Sequence, residues 1–484
     1  MAWHEEKIHL RPAMGFADLL FFFIMTGFSI RWIAVAAAAG PSSIVIWGVA
    51  LAAFYVPLVF CVLELSSRYP DEGGLYVWSK HAFGEFAGFI TGWTYWSSNL
   101  VYFPGILYFA AGNALFVGGS RWQGLSDSGA YFVIWSLIGL GLATLLNVVG
   151  LDVGKWLHNV GAVCLWVPAL SLIIMGGIAW GRFGSATDFS LVHIWPGTRL
   201  KDIAFWSTIA FALAGVESAS VMGEEIRDAR RNIPRALLAA GVVITLTYTL
   251  GTICVLLALP RTEVNGLQGI MQAIAKVDDR VGLSGFTPLA ALLISISGLG
   301  TVGAWLAAVA RLPFVAGVDR FLPPAFGRLH PRWGTPYVAL WTQSWVAAIF
   351  VLLGQAGTSV KGAYNVLVSM GVTTYLIPFL FIFGAMIKVQ REPTGPDVML
   401  VPGGKGVAVL LSVLGFSATA LAIVLALVPS EDEPNQRLAV VKVVGLTLVL
   451  VLVGAVLYVH GKWKRYPDPG TSESREDVRN KVRR

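Results

Sequence analysis

Two ionisable residues, Glu217 and Arg31, lie inside long apolar stretches, where a charged side chain is costly unless it is paired, hydrated or neutralised. Glu217 belongs to FALAGVESAS at 211–220 and Arg31 to FFFIMTGFSIRW at 21–32. Each stretch also places glycine beside small hydroxyl residues, a combination that can interrupt a helix and free backbone N–H and C=O groups for a ligand. We interpret the two stretches as halves of one binding site. Close helix packing is the alternative reading of either glycine taken alone.

Apolar runs dominate the 484-residue chain, which is 56% apolar, 13% charged and has a mean hydropathy of +0.69. A lipid bilayer is the solvent that accommodates so much apolar surface. Twelve runs reach about 20 residues, the length of a helix that crosses the bilayer hydrocarbon. They must be helical because lipid cannot satisfy open backbone groups. The sequence therefore predicts an all-α integral membrane protein with twelve transmembrane helices.

The two glycine-containing stretches fall in the first predicted span, 16–38, and in the sixth, 203–222. These are corresponding positions in two sets of five spans, and an odd number of spans reverses the orientation of the second set. We predict a 5+5 inverted repeat with helices 1 and 6 broken at mid-membrane. The predicted organisation is a cytoplasmic N-terminus at 1–15, a ten-helix core at 16–390, helices 11 and 12 at 391–461 and a disordered cytoplasmic tail at 462–484.

Charge and motif content exclude several other classes of protein. The Lys and Arg residues behind the net charge of +7 are concentrated in alternate connectors, which places both termini in the cytoplasm and gives no nucleic-acid-binding pattern. The seven histidines are scattered, and the three cysteines each lie in an apolar run. HExxH, Walker and nucleophile-elbow motifs are absent from the sequence. We therefore expect no metal, no cofactor, no nucleic-acid partner and no enzyme activity.

Four segments between about residues 15 and 390 resemble the amino acid, polyamine and organocation (APC) transporter superfamily, and amino acid permeases in particular. They are AAAAGPSSIVIWGV at 36–49, ELSSRYPDEGGLYVWSKHAFGEFAGFITGW at 64–93, FALAGVESASVMGEEIRDARRNIPRAL at 211–237 and ARLPFVAGVDRFLPPAFGRLHPRWGTPYVAL at 310–340. They occur in the order and spacing of that superfamily. The resemblance implies a LeuT-like fold with a substrate site between two broken helices.

The resemblance assigns roles to residues of both breaks and of helix 3. The expected substrate-binding residues are Ile24, Thr26, Gly27, Phe28, Tyr95, Asn99, Phe211, Ala214 and Gly215. Backbone N–H groups of Gly27 and Phe28 would donate hydrogen bonds to a substrate carboxylate. The carbonyls of Phe211 and Ala214 would receive its ammonium group, and the Phe211 ring would close over it. For Tyr95 and Asn99, hydrogen bonding between helices is an equal alternative.

Two ionisable residues are expected to couple or gate transport. Similar transporters use the acid at the position of Glu217 to link protonation to gating, and the alternative is a hydrogen-bonded Glu that locks helix 6 in place. Arg31 is expected to act in gating or substrate selection, with outward snorkelling as the alternative. Where many members carry Gly-Ser-Gly, this chain has Thr26, Gly27 and Phe28. Cys164 stands where proton-coupled members can carry Lys, so we expect no lysine-based proton switch.

The predicted function is secondary active transport of amino acids across the plasma (inner) membrane by alternating access, as proton symport or as antiport. Neutral amino acids are the first expectation because the predicted pocket walls are apolar. A polyamine or organocation transporter is the alternative, and a nutrient sensor that binds without transporting is an alternative of another class. The expected partners are a small-molecule substrate and the lipid bilayer, and a homodimer is left open.

Overall fold

The computed structural model of the chain describes residues 15–70, 73–197, 200–218, 220, 226–283, 285–313, 321–395, 398–428 and 435–464. The predicted N-terminal segment up to residue 14 and residues 465–484 of the predicted tail lie outside the described residues. The same holds for residues 219 and 221–225, which belong to the predicted sixth span and the connector after it.

The described residues are almost entirely helical. In chain order the helices are α1 (Phe16–Gly27), α2 (Arg31–Ala37), α3 (Ser43–Ala50), α4 (Val56–Arg68), α5 (Leu75–Phe83), α6 (Glu85–Ala114), α7 (Ser120–Gln123), α8 (Gly129–Val149), α9 (Leu151–Phe183), α10 (Leu191–Ile194), α11 (Leu200–Ala212), α12 (Ala229–Ala258), α13 (Gly269–Val281), α14 (Phe286–Val309), α15 (Tyr337–Gln355), α16 (Val360–Val389), α17 (Gly404–Ala426) and α18 (Gln436–Lys464). A π-helical turn at Leu51–Tyr55 joins α3 to α4, so the two helices form one continuous helical segment.

In the part of the chain that is described, ten helical segments are long and apolar enough to cross a membrane. The first and sixth predicted spans are not among them because each is interrupted. The α1 helix has 12 residues and α2 has 7, and α11 has 13. At 1.5 Å per residue none of these pieces spans about 30 Å of hydrocarbon alone. Both interruptions fall where the glycine positions predicted them.

Helices α6, α9, α14 and α16 form the packed centre of the molecule. Helix α6 contacts α14 and α16 along its length, and α14 contacts α9. A Cβ atom at Gly298 would lie 2.7 Å from the Cβ of Ala110, so glycine permits the close approach of α14 to α6. In the segment 85–117, 83% of the most apolar stretch is buried, against 17% in the segment 436–463. Helix α18 therefore presents its apolar side chains to the surroundings of the protein.

The broken helices lie beside this centre. Helix α1 packs on α12, the short α2 contacts both α11 and α12, and α11 packs on α17. The two interruptions, between α1 and α2 and after α11, come together in the interior, and they face residues of α6, α14 and α16.

Candidate functional site

The two helix interruptions are in direct contact. Gly215 follows the end of α11 with φ of +112°, a conformation that L side chains rarely adopt, and a Cβ atom there would lie 2.7 Å from the Thr26 carbonyl oxygen. The Ser218 hydroxyl lies 2.9 Å from Thr26 Oγ1 and 2.6 Å from the Gly215 carbonyl oxygen. The glycine and the small hydroxyl residues thus bring the two backbone breaks within hydrogen-bonding distance of each other.

Glu217 is fully buried and is held by three donors. The Tyr95 hydroxyl donates to its Oε1 over 2.8 Å, and the Tyr375 hydroxyl donates to the same oxygen over 2.5 Å. The Gly215 N–H donates to Oε2 over 3.0 Å. Because Tyr95 lies on α6 and Tyr375 on α16, the carboxyl group connects the break of helix 6 to two helices of the packed centre.

The backbone polar groups at the break of helix 1 form hydrogen bonds largely with other groups of the protein. The Phe28 N–H donates to the Ile24 carbonyl over 3.0 Å, which caps α1. The Ser29 N–H donates to the Tyr248 hydroxyl over 2.9 Å, and that hydroxyl donates to the Gly27 carbonyl. We expected Phe28 to offer a free N–H to a carboxylate. In this conformation the N–H is not free, because it donates to a carbonyl at the end of α1.

A small cavity of about 10 Å³ lies between the breaks and the packed centre. Its lining residues are Thr26, Gly27, Ser29, Trp32, Tyr102, Phe211, Ala212, Ala214, Tyr248, Trp305 and Tyr375. This volume accommodates about one water molecule, so an amino acid enters only after the walls move apart. Aromatic rings dominate the walls, and the Phe211 ring meets those of Trp32 and Tyr375 edge-on at 5.3 Å and 5.1 Å.

Arg31 is buried behind the aromatic wall, with 1% of its surface exposed. Its guanidinium carbon lies 4.1 Å from the ring centre of Trp32 and 4.5 Å from that of Tyr102. Among the described residues no carboxylate lies within ion-pair distance of it, and its Nε and Nη1 atoms have no hydrogen-bond partner. The alternative of outward snorkelling is not what this conformation shows, since the head group is enclosed.

The structure distributes the predicted site residues over three environments. Thr26, Gly27, Phe211 and Ala214 line the cavity. Gly215, Tyr95 and Glu217 form the adjoining hydrogen-bonded group. The remaining predicted binding residues, Ile24, Phe28 and Asn99, are buried but are not among the lining residues. Phe28 stacks on Trp166 at 5.2 Å, and the Asn99 side chain donates to the Tyr95 carbonyl.

Sequence reasoning missed five aromatic residues of the site: Trp32, Tyr102, Tyr248, Trp305 and Tyr375. Only Tyr102 had a signal that could have revealed it, because it lies seven residues after Tyr95 and therefore on the same face of α6. The others sit in apolar runs where an aromatic residue is ordinarily a packing residue.

A second group of polar residues joins the ends of α4, α5 and α16 away from the cavity. Buried Glu64 accepts hydrogen bonds from Arg68 and from the Gln390 side chain, and its other oxygen accepts from the Val401 N–H. Glu392 accepts from the Tyr69 hydroxyl and contacts the His81 ring. Burial raises the pKa of the Glu392 carboxyl, but the hydrogen bonds from Tyr69 and His81, together with electrostatic attraction to His81 and Arg68, outweigh it and the pKa is lowered. Glu392 is therefore ionised at neutral pH.

Comparison with known proteins finds transporters among the relatives of this chain. The chain is 26% identical over 469 residues to an uncharacterized transporter of Legionella pneumophila. The aligned region covers 94% of this chain and 97% of that relative. It is 22% identical to a probable agmatine/putrescine antiporter of Lactococcus lactis, over 87% of this chain and 89% of that protein. It is 25% identical to a putative arginine/ornithine antiporter of Escherichia coli, over 74% and 77%.

These relatives are named as transporters, in agreement with the prediction of a carrier and not an enzyme. The amino acid permease family matches residues 14–457, nearly the whole chain. The chain therefore belongs to the amino acid permease family, within the APC superfamily of membrane transporters.

Proposed function

We propose that this transporter carries amino acids across the plasma membrane by alternating access at the cavity between its two helix breaks. The main support for the proposal is the contact of the two helix breaks around Gly215. Beside this contact, Glu217 accepts hydrogen bonds from both Tyr95 and Tyr375. Broken helices inside a membrane are tolerated where they line a cavity, and their ends bind polar substrates there. The cavity opens to one side when α1, α2 and α11 move relative to α6, α14 and α16.

The proposal includes the predicted architecture. Twelve spans follow if the interrupted first and sixth spans cross the membrane together with the ten continuous helices. Spans 1–5 and 6–10 then form the inverted repeat at 16–390, helices 11 and 12 follow at 391–461, and both termini are cytoplasmic. In this arrangement α17 and α18 lie outside the repeat, and their exposed apolar faces are the surface on which a homodimer would form.

Amino acids are favoured over diamines by the charges around the cavity. The oxygens of adjoining Glu217 are already occupied by three donors, and no carboxylate of the described residues lines the cavity itself. Buried Arg31 would repel a cation nearby. Neutral amino acids therefore remain the first candidates. The name of one relative adds arginine and ornithine as candidates, and agmatine and putrescine, in the name of another, remain the alternative.

Glu217 is proposed to couple the substrate site to movement of helix 6. As a carboxylate it accepts two phenolic hydrogen bonds at one oxygen, and its protonation would weaken both. The break of helix 6 would then be released from α6 and α16. In an antiporter the same release would be driven by exchange of one substrate for another, a mode that the names of the antiporter relatives favour.

Uptake into proteoliposomes tests the proposal. The full chain is reconstituted and given radiolabelled amino acids or polyamines, with and without a pH gradient and with or without unlabelled substrate inside. We expect saturable uptake of one solute class, accelerated by the gradient or by internal substrate. Glu217→Gln should abolish that acceleration.

The matched control is Glu85→Gln, which removes a carboxylate from an exposed position at the start of α6 and should leave uptake unchanged. Saturable binding without any flux would overturn the proposal in favour of the sensor. Flux that rises linearly with concentration, without saturation, would point to a channel and would also contradict it.

A further inference from the structure

Arg31 carries a charge for which the described residues supply no counter-charge. Its side chain is almost completely buried, and two of its three guanidinium nitrogens have no hydrogen-bond partner. What surrounds it is aromatic: the Trp32 and Tyr102 rings on its faces, with the Tyr364 side chain also beside it. A buried guanidinium without an acid is unfavourable in a membrane protein, and such residues mark ligand or ion sites by default.

Two backbone donors at this break are already in use. The Phe28 N–H caps α1, and the Ser29 N–H is bound to the Tyr248 hydroxyl. Side-chain donors are free at Arg31, two residues beyond Ser29, so a substrate carboxylate that reaches this break can bind there.

The position of Arg31 suits that role. Both rings that flank its guanidinium, Trp32 and Tyr102, line the cavity, so the charge lies directly behind the cavity wall. The cavity must widen to admit an amino acid, and movement of either ring would bring the guanidinium to its surface. Trp305, on the same cavity, has a second buried N–H donor without a partner.

We propose that Arg31 binds the carboxylate of the substrate, and that this residue makes the transporter select amino acids over the amines formed by their decarboxylation. This inference rests on the proposed transport function and adds its specificity-determining residue. A guanidinium binds a carboxylate through two parallel N–H donors, whereas it repels an amine that lacks the carboxylate. Trp305 would add a donor to the same carboxylate.

Three ligand pairs that differ by a carboxylate test this inference: leucine with 3-methylbutylamine, ornithine with putrescine, and arginine with agmatine. Binding of all six to the full chain in lipid nanodiscs is measured by ligand-dependent thermal stabilisation. We expect at least one amino acid to bind about tenfold or more tightly than its amine partner, as loss of a hydrogen-bonded charge would produce. Arg31→Gln should remove this preference, and Arg31→Lys should retain part of it because the charge remains.

Arg182→Gln, at an exposed position near the end of α9, is the matched control and should keep the preference. If Arg31→Gln fails to fold, Arg31→Lys still tests the inference, because a lysine cannot form the two parallel hydrogen bonds. Equal binding of amino acids and amines to the wild-type chain would overturn the role of Arg31 and leave the transport proposal standing. A carboxylate preference that persists unchanged in both variants would do the same. Absence of saturable binding by all six probes would instead overturn the proposed function, and the inference with it.

Discussion

At the scale of single residues, the site is organised by the hydrogen bonds that each buried polar group receives. Glu217 would be costly as an isolated carboxylate in the membrane, and its three donors reduce that cost. Two of these donors are tyrosines on different helices, α6 and α16. The carboxyl group therefore also links the positions of these two helices to the break of helix 6. Changes at these residues should affect transport more than folding.

Tyr375→Phe removes one donor to Glu217 while keeping the ring that lines the cavity. Because a hydrogen bond to a charged group contributes about 1.5–3 kcal/mol, we expect the rate of exchange to fall about tenfold or more. Counterflow in proteoliposomes measures this. Tyr131→Phe is the control, since the Tyr131 hydroxyl donates to the Ala111 carbonyl outside the cavity. Equal effects of the two substitutions would contradict a special role for the Tyr375 hydroxyl.

Gly215→Ala introduces a side chain at a φ of +112° and within 2.7 Å of the Thr26 carbonyl oxygen. The backbone strain alone costs about 1–3 kcal/mol, and the collision adds to it. We expect lower thermal stability and loss of uptake, because the breaks can no longer touch. Gly177→Ala is the matched control: nothing lies within 4 Å of a Cβ atom there, so stability should be unchanged or slightly higher. Normal uptake by Gly215→Ala would show that the contact is dispensable.

At the scale of helices, the buried Glu64–Arg68 pair connects α4 to the segment after α16. The Arg68 Nη2 atom lies 2.7 Å from Glu64 Oε1, and both side chains are almost fully buried, at 5% and 1% exposure. Gln390 and the Val401 N–H complete the hydrogen bonds of the carboxylate. This arrangement anchors the helix after the π-helical turn to the packed centre. Its effect should appear in stability and not in substrate selection.

Glu64→Gln leaves Arg68 buried without its counter-charge, and removal of one partner from a buried pair costs about 3–5 kcal/mol. Removing both charges, in Glu64→Gln with Arg68→Gln, should be less damaging than removing Glu64 alone. Thermal unfolding of the purified protein in detergent, recorded for both single variants and the double variant, measures the coupling. Strictly additive effects would mean that the two side chains do not depend on each other.

At the scale of the whole molecule, the arrangement of spans decides which connectors face each side of the membrane. The proposed twelve spans place the connector between α12 and α13 outside and the connector before α15 inside. Exposed Glu263 and Arg332 lie in these two connectors. The native cysteines Cys61, Cys164 and Cys254 are all buried, so they should react slowly with a polar reagent.

Glu263→Cys and Arg332→Cys test this orientation. A membrane-impermeant maleimide added to intact cells should label Glu263→Cys, and it should label Arg332→Cys only after permeabilisation. The unmodified chain controls for reaction of the native cysteines. Labelling of both variants in intact cells, or of Arg332→Cys alone, would contradict the twelve-span topology.

The sequence by itself determined the membrane character, the family and the positions of both helix breaks. These features are local: an apolar run, a glycine close to hydroxyl residues and an ordered set of short motifs can be recognised without knowing what lies nearby in space. Thr26, Gly27, Phe211 and Ala214 were found in this way, and all line the cavity. Glu217 was recognised because an acid in an apolar run is conspicuous.

Only the tertiary structure decided which groups complete the site. Tyr375 bonds to Glu217 across 158 residues of sequence, and Tyr248 bonds to Ser29 across 219. The tertiary structure also showed that the Phe28 N–H is used within its own helix end. It showed that aromatic rings flank Arg31 and that no acid in the described part of the chain pairs with it. A hydrogen bond depends on distance and direction between groups from separate helices, and those are set by how the helices pack, which no local pattern records.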